Sequence, residues 1–349
     1  MVVVGIDAHK RTHTAVAVDE LGRRLGAKTV PTTSAGHLAL MRWADEFGAH
    51  RFAVEDCRHL SRNLERDLLR AGAAIVRVPP KLMAGARRSA REHGKSDPID
   101  ATAVARAALR EDNLPTAHLE GPDRELRLLV DHREDLVNER TRHQNRLHWH
   151  LHELDPSLIL KPGSLDRYVV LDRLGALCAG RDGTVAEIAA ELVERIRILT
   201  GRINELERKI GAITADLCPS LLALPGCGAL TAAKIVGETA GARRFADRHR
   251  FARFNGTAPV PVWSANKVRV RLNRGGNRQL NAGLHRIAVT QLRGGPGLDY
   301  VNKRMAMGKT KTEAIRSLRR RLSDEVYRRL LTDELARHAG SPTCALEAA

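Results

Sequence analysis

The chain has 349 residues, enough for two or three domains, and 43% hydrophobic residues, enough for real cores. Lys plus Arg number 58 against 41 for Asp plus Glu, a net charge of +17 with a pI near 10.4, which points to a polyanionic partner, nucleic acid first. Aromatic residues at 3% weigh against single-strand binding by base stacking. No apolar run reaches the roughly 18 residues of a membrane span, Met1 to Lys10 lacks a secretory signal, and the scattered Cys57, Cys178, Cys218, Cys227 and Cys344 outline neither disulfides nor a zinc knuckle. The expected location is cytoplasmic.

In chain order, Val2-Val3-Val4-Gly5-Ile6-Asp7 is a β-branched run ending in an acid, and Thr14 to Asp19 a second strand. A third strand covers Arg24 to Val30. Ser34 caps a helix running to about Phe47. Arg51 to Glu55 is a fourth strand, again ending in an acid, followed by a helix from Leu60 to Ala71 and a fifth strand, Ala74 to Val78, stopped by Pro79-Pro80. Asp97 reads as an N-cap and Pro98 as the first helical residue of an Ala-rich helix to Leu109, which places Asp97 and Asp100 on one helix face.

Three hairpin-like strands, then alternating helix and strand, then a helix opening with two acids, is the order of an α/β ribonuclease H-like, RuvC-type fold, expected over residues 1–112. Taken singly, each acid is ordinary at a strand end or helix start. As a set, Asp7, Glu55, Asp97 and Asp100 would repel one another strongly unless they hold hard cations. Two Mg²⁺ about 4 Å apart can activate a nucleophile and stabilise a leaving oxygen in phosphoryl transfer, and all-oxygen ligands suit Mg²⁺ or Mn²⁺. His9, Lys10, His13 and Asp56 read as solvated loop residues.

Residues 113–217 carry helical periodicity. Leu126, Val130, Val137, Leu147, Leu151 and Leu154 form a seam interrupted by Arg133, Arg140 and Gln144; Leu192, Ile196, Leu199, Ile203, Leu206, Ile210, Ile213 and Leu217 form a cleaner one. This middle segment reads as an antiparallel pair or a coiled coil joining protomers. His143, His148, His150 and His152 point in different directions, so they share no metal.

Residues 218–338 read as a mostly α C-terminal domain. Leu224-Pro225-Gly226-Cys227-Gly228 lies between two helical stretches like a helix-hairpin-helix, in which Gly226 and Gly228 let backbone amides approach a phosphate; a plain Pro-Gly turn is the other reading. Beyond Ser264, the basic residues Arg269, Arg271 and Arg274, then Asn277 and Arg278, suit phosphate capture. A basic helix spans Thr310 to Leu331, with Ile315, Leu318, Leu322, Val326 and Leu330 on its apolar face. The last residues, 339–349, read as a disordered tail.

Together GIDAHK, AVED, GKSDPIDA, LPGCGALTA, FNGTAPVPVWS, LNRGGNRQLNAGLHRIA and GKTKTEAIRSLRRRL, in this order over nearly the whole chain, resemble transposases of the insertion-sequence 110 family, the DEDD recombinases guided by a bridge RNA. The resemblance implies a metal-binding tetrad at Asp7, Glu55, Asp97 and Asp100 and places the family's nucleophilic serine on Ser264, within Trp263-Ser264-Ala265. It implies homo-oligomers that join a RuvC-like site with a serine from another protomer, and a guide RNA that pairs with donor and target DNA. Ser264 would attack to give a phosphoserine link, which conserves bond energy and needs no ATP; no Walker-type loop is present. Two other readings stay open on the residues alone: a RuvC-like endonuclease that uses water, and a basic RNA-binding scaffold whose acids only cap helices.

Overall fold

Two of the four acids lie at strand ends and two in the first turn of a helix. The computed structural model describes residues 1–80, 82–83, 96–111, 114–117, 121–264 and 267–339, divided into one unit over 1–120 and a second over 121–349. In the first, β1 (Val2–Ala8), β2 (Thr12–Val18) and β3 (Arg24–Pro31) form an antiparallel meander, and β4 (His50–Glu55) and β5 (Ile75–Val78) add in parallel beyond β1. The order β3-β2-β1-β4-β5 is the ribonuclease H-like arrangement that the strand pattern predicts.

Helices cover both faces, which is why β1 and β2 read as near-continuous apolar runs. On one face α1 (Ser34–Asp45) and α2 (Arg58–Arg70) bring Leu40, Trp43, Leu64 and Leu68 onto Val4, Ile6, Ala15, Phe52 and Val54. On the other, α3 (Asp97–Arg110) lays Ala101, Val104, Ala105 and Ala108 on Val3, Val16, Val18 and Ala53.

Two helix starts differ from expectation. Thr33, not Ser34, caps α1, its Oγ1 accepting from the Gly36 amide at 3.2 Å, because the Ser34 hydroxyl donates to Asp67 instead, at 3.0 Å. In α3 the extended cap position is Ser96, and Asp97 is the first helical residue. The Asp97 carboxylate therefore belongs to the first turn rather than to the cap.

The second unit is helical. Its long helices α4 (Pro122–Leu154) and α6 (Thr184–Leu217) pair antiparallel within the chain, with Lys209 3.3 Å from Glu125, Arg133 donating to Glu207 at 2.7 Å and Arg140 to Thr200 at 3.2 Å. Two of the polar breaks in the α4 seam find a common acceptor: Gln144 and Arg140 both donate to Asp166, in a short 3₁₀ turn before α5 (Tyr168–Ala179). Leu147, Leu151, Leu192 and Ile196 close a small core with α5. At the other end Leu126, Val130, Ile210 and Leu217 enter a core with α7 (Pro219–Leu222), α8 (Ala229–Thr239), α9 (Arg248–Phe254), α10 (Arg278–Gln291), α11 (Pro296–Ala306) and α12 (Lys311–Ala339), so middle and C-terminal helices share one hydrophobic interior. A two-stranded ribbon, β6 (Val260–Ser264) and β7 (Lys267–Arg271), stands between α9 and α10 in sequence.

Helix α12 starts at a reciprocal capping box, the Thr310 amide donating to Glu313 at 3.0 Å and the Glu313 amide to the Thr310 hydroxyl at 3.3 Å. It runs eight residues past the expected Leu331 because its late acids are anchored inward. Asp333 accepts from the Ser220 and Leu221 amides, and Glu334 from those of Ala242 and Arg243. Most of the expected tail, residues 340–349, lies outside the described residues. Among the described residues no helix is long and apolar enough to cross a membrane.

Candidate metal centre

Asp7 owes its position to strand parity. Val3, Gly5 and Asp7 alternate onto the face covered by α3, and the α3 backbone lies directly on Gly5: a Cβ there would come within 2.3 Å of the Ala101 carbonyl and 2.5 Å of the Ala105 amide. Only glycine admits a helix this close. The contact sets Ala101 over the strand and so brings the first turn of α3, with Asp97 and Asp100, to the level of Asp7.

Glu55 arrives by register. The last β1–β4 pair is Ile6 with Val54, so Glu55 is the next residue of β4 beside Asp7, at the carboxyl ends of two adjacent parallel strands. That edge is where α/β sheets characteristically hold ligands. Asp7 and Asp100 are each 6% exposed, Glu55 is half-buried and Asp97 exposed.

Burial pushes the Asp7 carboxyl up to about 6; His9 opposes the shift, and Asp100, Asp97 and Glu55 add to it in that order. The other three acids of the set thus all act on Asp7. The Asp7 Oδ2 atom is buried without a hydrogen-bond partner, a cost that a cation would remove. His9 Nδ1 lies 3.6 Å from that oxygen and 3.9 Å from Asp97 Oδ2. Among the described residues, Asp7, His9 and Asp97 form the cluster whose ligand atoms all fall within 4.8 Å of one another.

One expectation changes and one gains a detail. His9 is the exposed loop residue expected, just past the end of β1, but the turn held by its amide donating to the Thr12 carbonyl at 3.0 Å leaves its ring beside the acids. His13 is buried at 1% exposure on the opposite face, stacked on His37 at 5.4 Å, and its pKa falls to about 4, chiefly from burial and then from His37 and His9. Lys10 remains exposed and Asp56 half-buried.

In the second unit, Ser264 ends β6, its backbone paired with Lys267 at the closed end of the ribbon. The ribbon's base is clamped by glycines. Gly276, at φ 88°, packs against the backbone of Phe254 and Gly256, where a Cβ would meet atoms at 2.7 Å. Asn281 donates to the Asn255 carbonyl at 2.8 Å, and Arg319 to Asn281 at 2.9 Å. Arg271, Arg274 and Arg278 are exposed, and the Arg269 backbone pairs with Val262. Asn277 is engaged inward: its Oδ1 accepts from the Leu280 amide at 2.8 Å, capping α10, and its Nδ2 donates to Glu238 at 2.6 Å. It organises the loop that presents Arg274 and Arg278.

Gly226, at φ 83°, allows the α7–α8 turn to meet α10, since a Cβ would stand 3.0 Å from the Ile287 carbonyl; Gln291 fixes the same turn by donating to the Pro225 carbonyl at 2.7 Å. Gly228 faces open space at the start of α8.

Family models described as "Transposase" and "Transposase IS116/IS110/IS902 family" match residues 4–156 and 218–300, together more than half of the chain. The chain belongs to the IS110 family of transposases. The transposase is similar to the "Insertion element IS116 uncharacterized 44.8 kDa protein" of Streptomyces clavuligerus, 28% identical with 93% of each chain covered. It is also similar to the corresponding IS110 43.6 kDa protein of Streptomyces coelicolor, 26% identical with 92% of each covered, and the IS900 42 kDa protein of Mycobacterium paratuberculosis, 25% identical with 98% of each covered. Among solved structures, T. thermophilus RuvC in complex with Holliday junction substrate matches 34% of the transposase and 99% of that chain at 17% identity and a TM-score of 0.27; at that distance it adds nothing to the strand order.

The donor set fits divalent ions. The transposase offers carboxylate oxygens from β1, β4 and α3 at one sheet edge, one of them buried without a partner. Such oxygens suit Mg²⁺ or Mn²⁺.

Proposed function

We propose that this transposase cuts and rejoins DNA through a phosphoserine link, with Asp7, Glu55, Asp97 and Asp100 as the carboxylates that hold two Mg²⁺ or Mn²⁺ ions. The observation that carries the reading is the buried, unpartnered Asp7 oxygen at the point on which the other three acids act. Bound ions would supply neutralisation of the scissile phosphate and ease loss of the attacking hydroxyl's proton.

Ser264 Oγ attacks the phosphorus, the bond to the leaving deoxyribose oxygen breaks, and that oxygen takes up a proton. A strand hydroxyl then attacks the phosphoserine, restores Ser264 and closes a new phosphodiester. The number of high-energy bonds is unchanged, so ATP has no role. The transposase acts as a homo-oligomer in which the serine of one copy serves the acids of another. Arg269, Arg271, Arg274 and Arg278, with the backbone at Gly226 and Gly228, hold nucleic-acid phosphates. Sequence choice lies in a guide RNA that pairs with donor and target DNA, which leaves the protein to read charge and backbone shape.

The test is to incubate the full chain with Mg²⁺, RNA transcribed from the element's flank and end-labelled donor DNA, then denature. Label should shift with the wild-type protein and not with Ser264→Ala. Cut DNA without an adduct, in both proteins alike, means that water is the nucleophile and ends the serine mechanism.

A further inference from the structure

His9 is the first residue past β1, two after Asp7, and its imidazole lies beside the Asp7 and Asp97 carboxylates. His9 is not a core residue: its side chain is 47% exposed. Nor is it a hydrogen-bonded partner of the acids. At 3.6 Å from Asp7 Oδ2 and 3.9 Å from Asp97 Oδ2, its Nδ1 is beyond the ~3.2 Å limit of a good N–H···O bond. Two ligands on one ion with bonds of about 2.1 Å lie roughly 3.0 Å apart when adjacent and roughly 4.2 Å when opposite. Both distances fall inside that span. The buried Asp7 oxygen on which they converge has no hydrogen-bond partner, so the cluster has a vector, a donor set and an unmet polar atom at one point.

We propose that His9 supplies a nitrogen ligand, through Nδ1, to the ion held between Asp7 and Asp97, making one of the two metal positions a mixed nitrogen–oxygen site. This rests on the reading that the acids bind divalent cations. Imidazole is a poor ligand for Mg²⁺ and a good one for later divalent metals, whereas carboxylates serve Mg²⁺ and Mn²⁺ alike. The His9 position therefore prefers Mn²⁺, and the remaining acids, Glu55 and Asp100, define the position that takes Mg²⁺ readily. His9→Asp replaces nitrogen with oxygen and shifts the preference toward Mg²⁺; His9→Ala lowers Mn²⁺ affinity about tenfold or more, in line with the loss of a metal-organising group.

Pulsed electron paramagnetic resonance on the full chain loaded with Mn²⁺ alone reads the ligand directly, without any turnover. The expected result is a ¹⁴N coupling in the wild type that is lost in His9→Ala and in His9→Asp, while both variants still bind Mn²⁺ at higher concentration. Bound Mn²⁺ with no nitrogen coupling, or with a coupling that survives in His9→Ala, overturns the assignment and leaves the carboxylate site standing. Absence of any Mn²⁺ binding in the wild type, with Asp7→Asn indistinguishable from it, overturns both the assignment and the metal reading beneath it.

Discussion

Asp7 and His13 sit on opposite faces of the same sheet, and burial shifts their pKa values in opposite directions. The fold prefers Asp7 protonated: its pKa rises from 3.8 to about 6, first through burial, then through Asp100, Asp97 and Glu55 acting against His9. Its contribution to stability is full below pH 3.8 and is lost as pH rises through about 6. The fold prefers His13 neutral, because burial and then His37 and His9 lower its pKa from 6.5 to about 4. Its contribution is present above pH 6.5 and is lost as pH falls through about 4. The two slopes oppose each other between pH 4 and 6.5, so the ion-free wild type should show a shallow profile there. Asp7→Asn should gain on the order of 1–3 kcal/mol at pH 7.5 and expose a steep loss on acidification, whereas His13→Gln should lose that acid limb. Denaturant melts of ion-free protein at pH 4.5, 6 and 7.5 check this; wild-type profiles in both variants would contradict it.

The element that builds the site is α3, and the residue that lets it do so is Gly5. Adding one methyl at Gly5 puts a carbon 2.3 Å from the Ala101 carbonyl, so α3 must lift from the sheet. Gly5→Ala should cost about 2–4 kcal/mol and weaken divalent-ion binding, although position 5 touches no ligand. A thermal-shift titration with Mn²⁺ measures both, and a variant with normal stability and normal ion response would refute the packing account. The strands were legible in sequence because β-branched runs covered on both faces have few alternatives, and Asp7 and Glu55 followed as strand-end acids. His9 was not legible. Its direction depends on the turn closed by Thr12 and on where α3 comes to rest, neither of which local sequence encodes. The bonds that engage the Asn277 side chain were not legible for a related cause: its amide is taken up by Glu238, 39 residues away, and by its own helix start.

Over the whole molecule, the charge of +17 is not evenly available. In α12 several arginines are taken up by partners within the fold, Arg319 by Asn281, Arg320 by Asp324, Arg328 and Arg329 by Glu325, while Arg271, Arg274 and Arg278 on the ribbon and the loop after it are exposed. Replacing these three with alanine should weaken DNA or RNA binding uniformly across sequences and reduce the slope of log affinity against log salt by about 2–3. An unchanged slope would move the phosphate contacts elsewhere. The family was legible from the joint order of motifs spread along the chain, each weak alone. The sharing of one core by the middle and C-terminal helices was not, since the residues that join them, such as Leu126 and Ile235, carry only generic apolar periodicity.

The most direct measurement is calorimetric titration of Mg²⁺ or Mn²⁺ into the full chain near pH 6, in two buffers of different ionisation enthalpy, for wild type and Asp7→Asn. The acids' convergence on a partly protonated Asp7 predicts ion binding in the wild type with net release of protons, and both the release and most of the binding lost in Asp7→Asn. Equal binding in the two proteins, with no proton released, would contradict the metal centre.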